Sequence, residues 1–122
     1  MQLIENTENN SYLITTINRN KAIINKQEFM QSCIVSNNSI LTDIELTKVE
    51  DLTSKHIQHL LSSHPELIIL GSGVDHVFPN VELLNPIAKA NIGFEVMNNK
   101  SAARTYNVLV AEERKVACLL II

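Results

Sequence analysis

Apolar and polar positions divide the chain near Pro65 into two halves with different rhythms. From Leu67 onward, short apolar runs alternate with helical stripes. Leu67-Ile68-Ile69-Leu70 is a continuous apolar run, the habit of a strand covered on both faces. Gly71-Ser72-Gly73 follows it as a turn. Pro79, with no backbone donor to waste, suits the first turn of a helix that carries Val81, Leu84, Ile87 and Ala88 on one side. Pro86 falls inside that stretch and should bend or shorten it. Ile92 to Met97 reads as the next strand. Asn98 or Asn99 can cap a last helix that turns Ala102, Ala103, Tyr106, Leu109 and Val110 inward. Val116 to Ile122 is a near-uniform apolar strand. This strand-helix-strand-helix-strand order predicts a parallel sheet whose loops gather at the C-terminal strand ends, where open α/β folds hold ligands. Right-handed crossovers place both helices on one side of the sheet if the strands advance in one direction, leaving the other face for the N-terminal half.

That first half reads as an antiparallel meander. Tyr12 to Ile17 is rich in β-branched residues, Asn18 to Lys21 is a polar turn, and Ala22 to Asn25 resumes the strand pattern. Phe29 to Val35 mixes apolar and polar positions. Asn37-Asn38 predicts a tight hairpin turn, since Asn tolerates positive φ, and Ser39 to Thr42 starts the return strand. A helix then opens at Asp51-Leu52-Thr53-Ser54 and runs to about Ser63. Leu52, Ile57, Leu60 and Leu61 form its apolar stripe, and Asp51 or Thr53 can cap it. His64-Pro65 ends it, because the residue before proline is pushed out of the helical region.

With 122 residues, the expectation is one domain spanning 1–122. The hydrophobic fraction is 45% but aromatics are only 4% and Trp is absent, so Ile, Leu, Val and Ala must build the core. The formal net charge is −3 and the basic residues are scattered, which weighs against nucleic-acid binding. Met1 to Asn6 turns polar at once and lacks the pattern of a signal peptide, and no apolar run reaches the roughly 20 residues of a membrane-spanning helix. A soluble, cytoplasmic protein is expected. Cys33 and Cys118 sit in apolar segments and read as buried free thiols; a disulfide would need their strands side by side.

Few residues offer chemistry. The glycines of Gly71-Ser72-Gly73 permit a sharp turn and can leave N–H groups open to an anion. The dinucleotide fingerprint is not met, because Val74 follows the second glycine and the helix starts only near Pro79. Ser72 with Asp75-His76 lacks the glycine spacing of a nucleophile elbow. Glu95, between Phe94 and Val96, looks buried and in need of a partner, which Arg104 in the next helix would supply. The alternative is that either side chain meets a ligand or partner, with Thr105, Tyr106 and Asn107 extending the polar surface. His56 and His59 are spaced for a shared metal but lack further ligands, so a solvated helix surface is the better account. No catalytic residue, metal or cofactor is assigned.

The order of Pro65-Glu66-Leu67-Ile68-Ile69-Leu70-Gly71-Ser72-Gly73, Phe78-Pro79, Gly93-Phe94-Glu95-Val96-Met97 and Ala102-Ala103-Arg104-Thr105-Tyr106-Asn107-Val108-Leu109 resembles one family. It is the Mth-type domain of unknown function, which includes the mitochondrial complex I (NADH:ubiquinone oxidoreductase) assembly factor three and the adipogenesis-associated Mth-domain protein. The resemblance implies a three-layer α/β fold: a mixed sheet with an N-terminal antiparallel meander and a C-terminal parallel βαβαβ unit. It implies no settled enzymatic activity, and an assembly role exerted through a protein partner. The family's motifs map to Gly71, Ser72 and Gly73, to Glu95, Val96 and Met97, and to Arg104, Thr105, Tyr106 and Asn107. The expected function is therefore a noncatalytic interaction or assembly module linked to respiratory complex I assembly; the alternative is a small-molecule or anion-binding protein, or an enzyme, using the strand-end crevice near Gly71–Gly73. A homodimer through an apolar patch on the meander is also an expectation.

Overall fold

A computed structural model describes residues 1–6 and 10–122. Its centre is a six-stranded mixed sheet. In chain order the strands are β1 (Gln2–Glu5), β2 (Ile14–Ile17), β3 (Ala22–Ile24), β4 (Gln27–Phe29), β5 (Cys33–Ser36), β6 (Ser39–Thr42), β7 (Leu67–Gly71), β8 (Gly93–Met97) and β9 (Val116–Leu120). The helices are α1 (Ser54–Leu61), α2 (Asn85–Lys89) and α3 (Asn99–Ala111). The large sheet has the order β1-β6-β5-β9-β7-β8, and β2-β3-β4 form a separate small sheet.

The final strand is the keystone. β9 pairs antiparallel with β5 and parallel with β7, joining the N-terminal hairpin to the parallel unit. All five of its residues are buried, which explains the unbroken apolar run from Val116. The N-terminal meander is therefore divided: β1, β5 and β6 extend the main sheet, whereas β2 to β4 leave it.

The insertion of β9 corrects one expectation. The step from β7 through α2 to β8 moves outward to the sheet edge, and the step through α3 moves back across β7. Two crossovers of one hand in opposite directions put their helices on opposite faces. One core holds Ala102, Ala103, Tyr106 and Val110 of α3 together with Ile14, Ala22 and Ile24 of the small sheet and Tyr12 just before it. The other holds Ile57 and Leu60 of α1 and Ile87 of α2. The three layers are thus α3 with the small sheet, the main sheet, and α1 with α2.

Local details differ from the sequence pattern for identifiable reasons. Pro86 does not bend a long helix; it starts α2, after a 3-10 turn over Val81–Leu84 capped by Asn80. The helix expected from Asp51 begins at Ser54, because Val49–Asp51 forms its own 3-10 turn and Thr53 is the cap. Asn37-Asn38 does join β5 to β6, but neither residue adopts positive φ. The two-residue turn with positive φ at both positions is Asn25-Lys26, at 44° and 73°, between β3 and β4. Asn37 serves another purpose. Its Oδ1 accepts from Val116 N at 2.9 Å and its Nδ2 donates to Arg114 O at 2.7 Å, so it holds the entrance to β9.

Candidate functional site

The parallel strands β7, β8 and β9 end at one pole, as the pattern predicted. There Asn99, the first residue of α3, ties the ends together. Its Oδ1 accepts from Gly73 N at 3.1 Å, its Nδ2 donates to Ile121 O at 2.8 Å, and its own N–H donates to Gly73 O at 2.8 Å. Asn98 caps the same helix by accepting from Ser101 N at 2.9 Å. A side-chain carbon on Gly71 would lie 2.5 Å from Asn99 Oδ1 and 2.9 Å from Leu119 O, so only glycine lets the three ends close this tightly. Gly73 has φ of 101°, a conformation that other residues rarely adopt.

Ser72 is buried at this junction, and its hydroxyl is committed to the turn. It donates to Asp75 O at 2.6 Å and accepts from Val77 N at 3.1 Å. Such a hydroxyl organises the loop after β7, and among the described residues its partners are main-chain groups rather than His76. The Gly-Ser-Gly turn is thus held by side chains of α3 and by its own serine.

Beside it opens a cleft of about 510 Å³. Ser72, Gly73, Val74, Asp75 and Val77 form one wall, and Asn98, Asn99 and Lys100 another. Arg19 arrives from the β2–β3 turn and Lys48 from the segment before α1, while Ile121 and Ile122 contribute apolar floor. Three cationic side chains, Arg19, Lys48 and Lys100, share this cleft with the carboxylates of Glu50 and Asp75. The sequence carried no local signal for this set, since its members come from segments tens of residues apart.

The other residues singled out from sequence lie elsewhere. Tyr106 is fully buried, and its hydroxyl donates to Tyr12 O at 3.0 Å. Burial, and secondarily the neighbouring Cys118, push its phenol well above the usual range. Asn107 binds the main chain of Ile14. Both residues fasten the small sheet to α3. Thr105 is half-buried and Arg104 exposed on the same helix. Glu95 is exposed, because β8 is the outermost strand and nothing covers its α3-facing side at that position. The expected buried pair is absent: the described ion pairs are Lys21–Glu28 and Arg114–Glu66, and Glu95 does not reach Arg104. Of the eight residues, Ser72 and Gly73 line the cleft, Gly71 shapes it from behind, and Glu95 and Arg104 belong to a separate outer surface.

His56 also departs from expectation. It is 9% exposed, and its Nδ1 accepts from Thr53 N at 3.0 Å, completing the N-terminal cap of α1. Among the described residues no group of histidines, cysteines and carboxylates is arranged to hold a metal ion. Cys33 and Cys118 are free and buried on adjacent strands, but in register Cys33 faces Leu120 and Cys118 faces Val35. Burial pushes the Cys33 thiol up to about 12, and Cys118 higher still. Among the described residues no helix is long and apolar enough to cross a membrane.

This arrangement is found in other proteins. Residues 14–121 match the family model described as "Protein of unknown function (DUF498/DUF598)". The "13 kDa major membrane protein" of Francisella tularensis subsp. holarctica (strain LVS) is 31% identical over 104 residues, 84% of this chain and 85% of that protein. The "NADH dehydrogenase (ubiquinone) 1 alpha subcomplex assembly factor 3" of Xenopus tropicalis is 31% identical over 111 residues, 88% of this chain but 60% of that protein's length. A Xanthomonas campestris protein solved by NMR superposes with a TM-score of 0.84 at 31% identity, covering 100% of this chain and 92% of that one. A Bordetella pertussis protein described as a Mth938-like domain shares the fold at 20% identity, with a TM-score of 0.79 over 99% of this chain and 92% of that one. By its motifs, its three-layer architecture and these matches, the chain belongs to the DUF498/DUF598 family of proteins of unknown function, the Mth-type family.

Proposed function

We propose that this chain is a noncatalytic protein-interaction module of the assembly-factor type, acting in the maturation of a respiratory NADH dehydrogenase and working as a soluble cytoplasmic protein beside its membrane-bound target. The observation that carries the proposal is 31% identity to the Xenopus assembly factor over 88% of the chain. Two surfaces are available to a partner. One is the strand-end cleft, where Gly71, Ser72 and Gly73 set the backbone and Lys100 and Val74 stand at the rim. The other is formed by the exposed Glu95 and Arg104 with the half-buried Thr105, on the helix whose Tyr106 and Asn107 hold the small sheet. Affinity capture from cell extract tests the proposal. Wild-type chain should retain subunits of the respiratory NADH dehydrogenase. Lys100→Glu or Arg104→Glu should lose them with an unchanged circular dichroism spectrum. Retention of no such subunit by the wild type overturns it.

A second reading takes the cleft as a small-molecule or anion site. The observation in its favour is the convergence of Arg19, Lys48 and Lys100 on one cavity of about 510 Å³. Thermal shift against anions, nucleotides and common metabolites decides it, because a saturating ligand raises the melting point by mass action. Silence across that panel removes this reading.

A further inference from the structure

We propose that the outer edge of β8 is a strand-addition site, taking an extended segment of a partner protein that places a basic residue opposite Glu95. The inference rests on the reading of the chain as an interaction module and names the surface and the kind of segment it takes. β8 is the last strand of the main sheet and, among the described residues, pairs with β7 alone. Gly93 N donates to Glu66 O, and Met97 O accepts from Ser72 N, so Gly93, Glu95 and Met97 turn their main-chain groups toward β7. Main-chain groups alternate sides along a strand. Those of Phe94 and Val96 therefore point away from the sheet, offering two donors and two acceptors in the spacing of an antiparallel ladder.

The side chains select the occupant. Phe94 and Val96 lie half-buried against the core of α1 and α2, so an added strand would extend an apolar face there with its own alternate residues. Glu95 points to the opposite face, exposed and without an ion-pair partner among the described residues. The residue directly across from it comes within cross-strand contact, where opposite charges attract and like charges repel.

The same geometry disfavours a second copy of this chain. The symmetric antiparallel register that pairs the four outward groups with one another sets Phe94 against Val96 of the other copy, and the reverse. That register sets Glu95 against Glu95 at the centre. A register shifted to recruit Ile92 fails, because Ile92 N already donates to Ile87 O at 3.2 Å. A partner segment of the pattern apolar-basic-apolar satisfies both the ladder and the carboxylate.

Two capped peptides of the pattern Thr-Val-Lys-Val-Thr and Thr-Val-Glu-Val-Thr are suitable probes, read by amide NMR on the full chain. The lysine peptide should shift and protect the Phe94 and Val96 amides, and bind about three- to tenfold tighter than the glutamate peptide. Glu95→Lys should reverse that preference. Val96→Pro should abolish binding while the β7 ladder persists, since proline on an edge strand removes only the outward donor. Equal binding of both peptides, no protection of either amide, or a wild-type dimer built through β8 each overturns the proposal. If Val96→Pro still captures the NADH dehydrogenase subunits that wild type captures, the edge proposal fails and the assembly reading stands.

Discussion

The carboxamide of Asn107 holds the main chain of Ile14 by both ends, accepting from Ile14 N at 2.9 Å and donating to Ile14 O at 2.8 Å. One side chain of α3 thus acts as a surrogate strand for β2, across 93 residues of sequence. One residue earlier on α3, Tyr106 adds a bond to the carbonyl of Tyr12, two residues before Ile14. The small sheet is fastened to the body of the protein through these polar contacts as well as through the apolar cluster around Ile14 and Ile24.

Replacing Asn107 by Ala should therefore destabilise the fold by about 1–3 kcal/mol, because both main-chain groups of Ile14 lose their partner at once. Tyr106→Phe should cost about 0.5–1.5 kcal/mol by stranding the Tyr12 carbonyl. Urea unfolding of the two variants and their double checks the idea. A loss below about 0.5 kcal/mol for Asn107→Ala would mean that water replaces the carboxamide and that the strap is dispensable.

Gly71→Ala should destabilise by about 1–3 kcal/mol, the usual cost of forcing an extra carbon into a closed site. The added carbon meets Asn99 Oδ1 and the Leu119 carbonyl, and neither is the free end of a flexible chain: Asn99 is buried and doubly hydrogen-bonded. The loop after β7 should also loosen, because Asn99 must give up Gly73 N or Ile121 O to make room. Thermal melting together with the Gly73 amide chemical shift reads both effects. An unchanged melting temperature would show that the strand ends are less tightly joined than the distances state.

His56 predicts a stability that falls toward acid. Burial is the main reason its imidazole titrates below the ordinary value of 6.5; the nearby His59 and, more weakly, Lys55 act in the same direction, and a backbone hydrogen bond with Glu45 opposes them. The folded state thus binds its proton later than the unfolded chain does. Stability is constant for this group above the unfolded pKa and declines as pH falls below about 6.5 toward the lower folded value. The structural reason is visible: Nδ1 must be unprotonated to accept from Thr53 N. His56→Gln keeps an acceptor at the third helical position and should flatten the fall of the denaturation midpoint as pH drops below about 6.5. A wild-type profile as flat as the variant's would refute the assignment.

The strand and helix pattern of the C-terminal half was legible because period and composition are local properties. Leu67-Ile68-Ile69-Leu70 and Val116 to Leu120 announced covered strands, and both are buried apart from the half-buried Leu67. Strand order was not legible. Whether β9 lies beside β8 or inserts between β5 and β7 is decided by pairing over long sequence distances, and the side on which α3 packs follows from that choice. Glu95 looked buried because its neighbours are Phe94 and Val96; position at the sheet edge, not local sequence, exposes it. Asn99 had a signal that was available. It stands three and four residues before Ala102 and Ala103, on the inward stripe of α3, where a polar residue must find partners. Thr53 followed three residues later by His56 had the spacing of a capping box, with imidazole in the place of a carboxylate or amide.

The keystone position of β9 sets the last expectation. Leu119 and Leu120 are 0% exposed, one facing each core, and Ile121 is 4% exposed. Removing residues 119–122 takes away side chains contributing about 1.5–3 kcal/mol each, against a total stability of about 5–15 kcal/mol for a domain of this size. It also deletes the Ile121 carbonyl that receives Asn99, so the strand-end junction opens together with both cores. The truncated chain should show no cooperative melt. The single substitution Leu120→Ala should leave a folded protein weakened by about 2–5 kcal/mol, which keeps the idea measurable where the deletion only unfolds. A truncated chain that stays soluble and melts cooperatively would place the centre of stability elsewhere in the sheet.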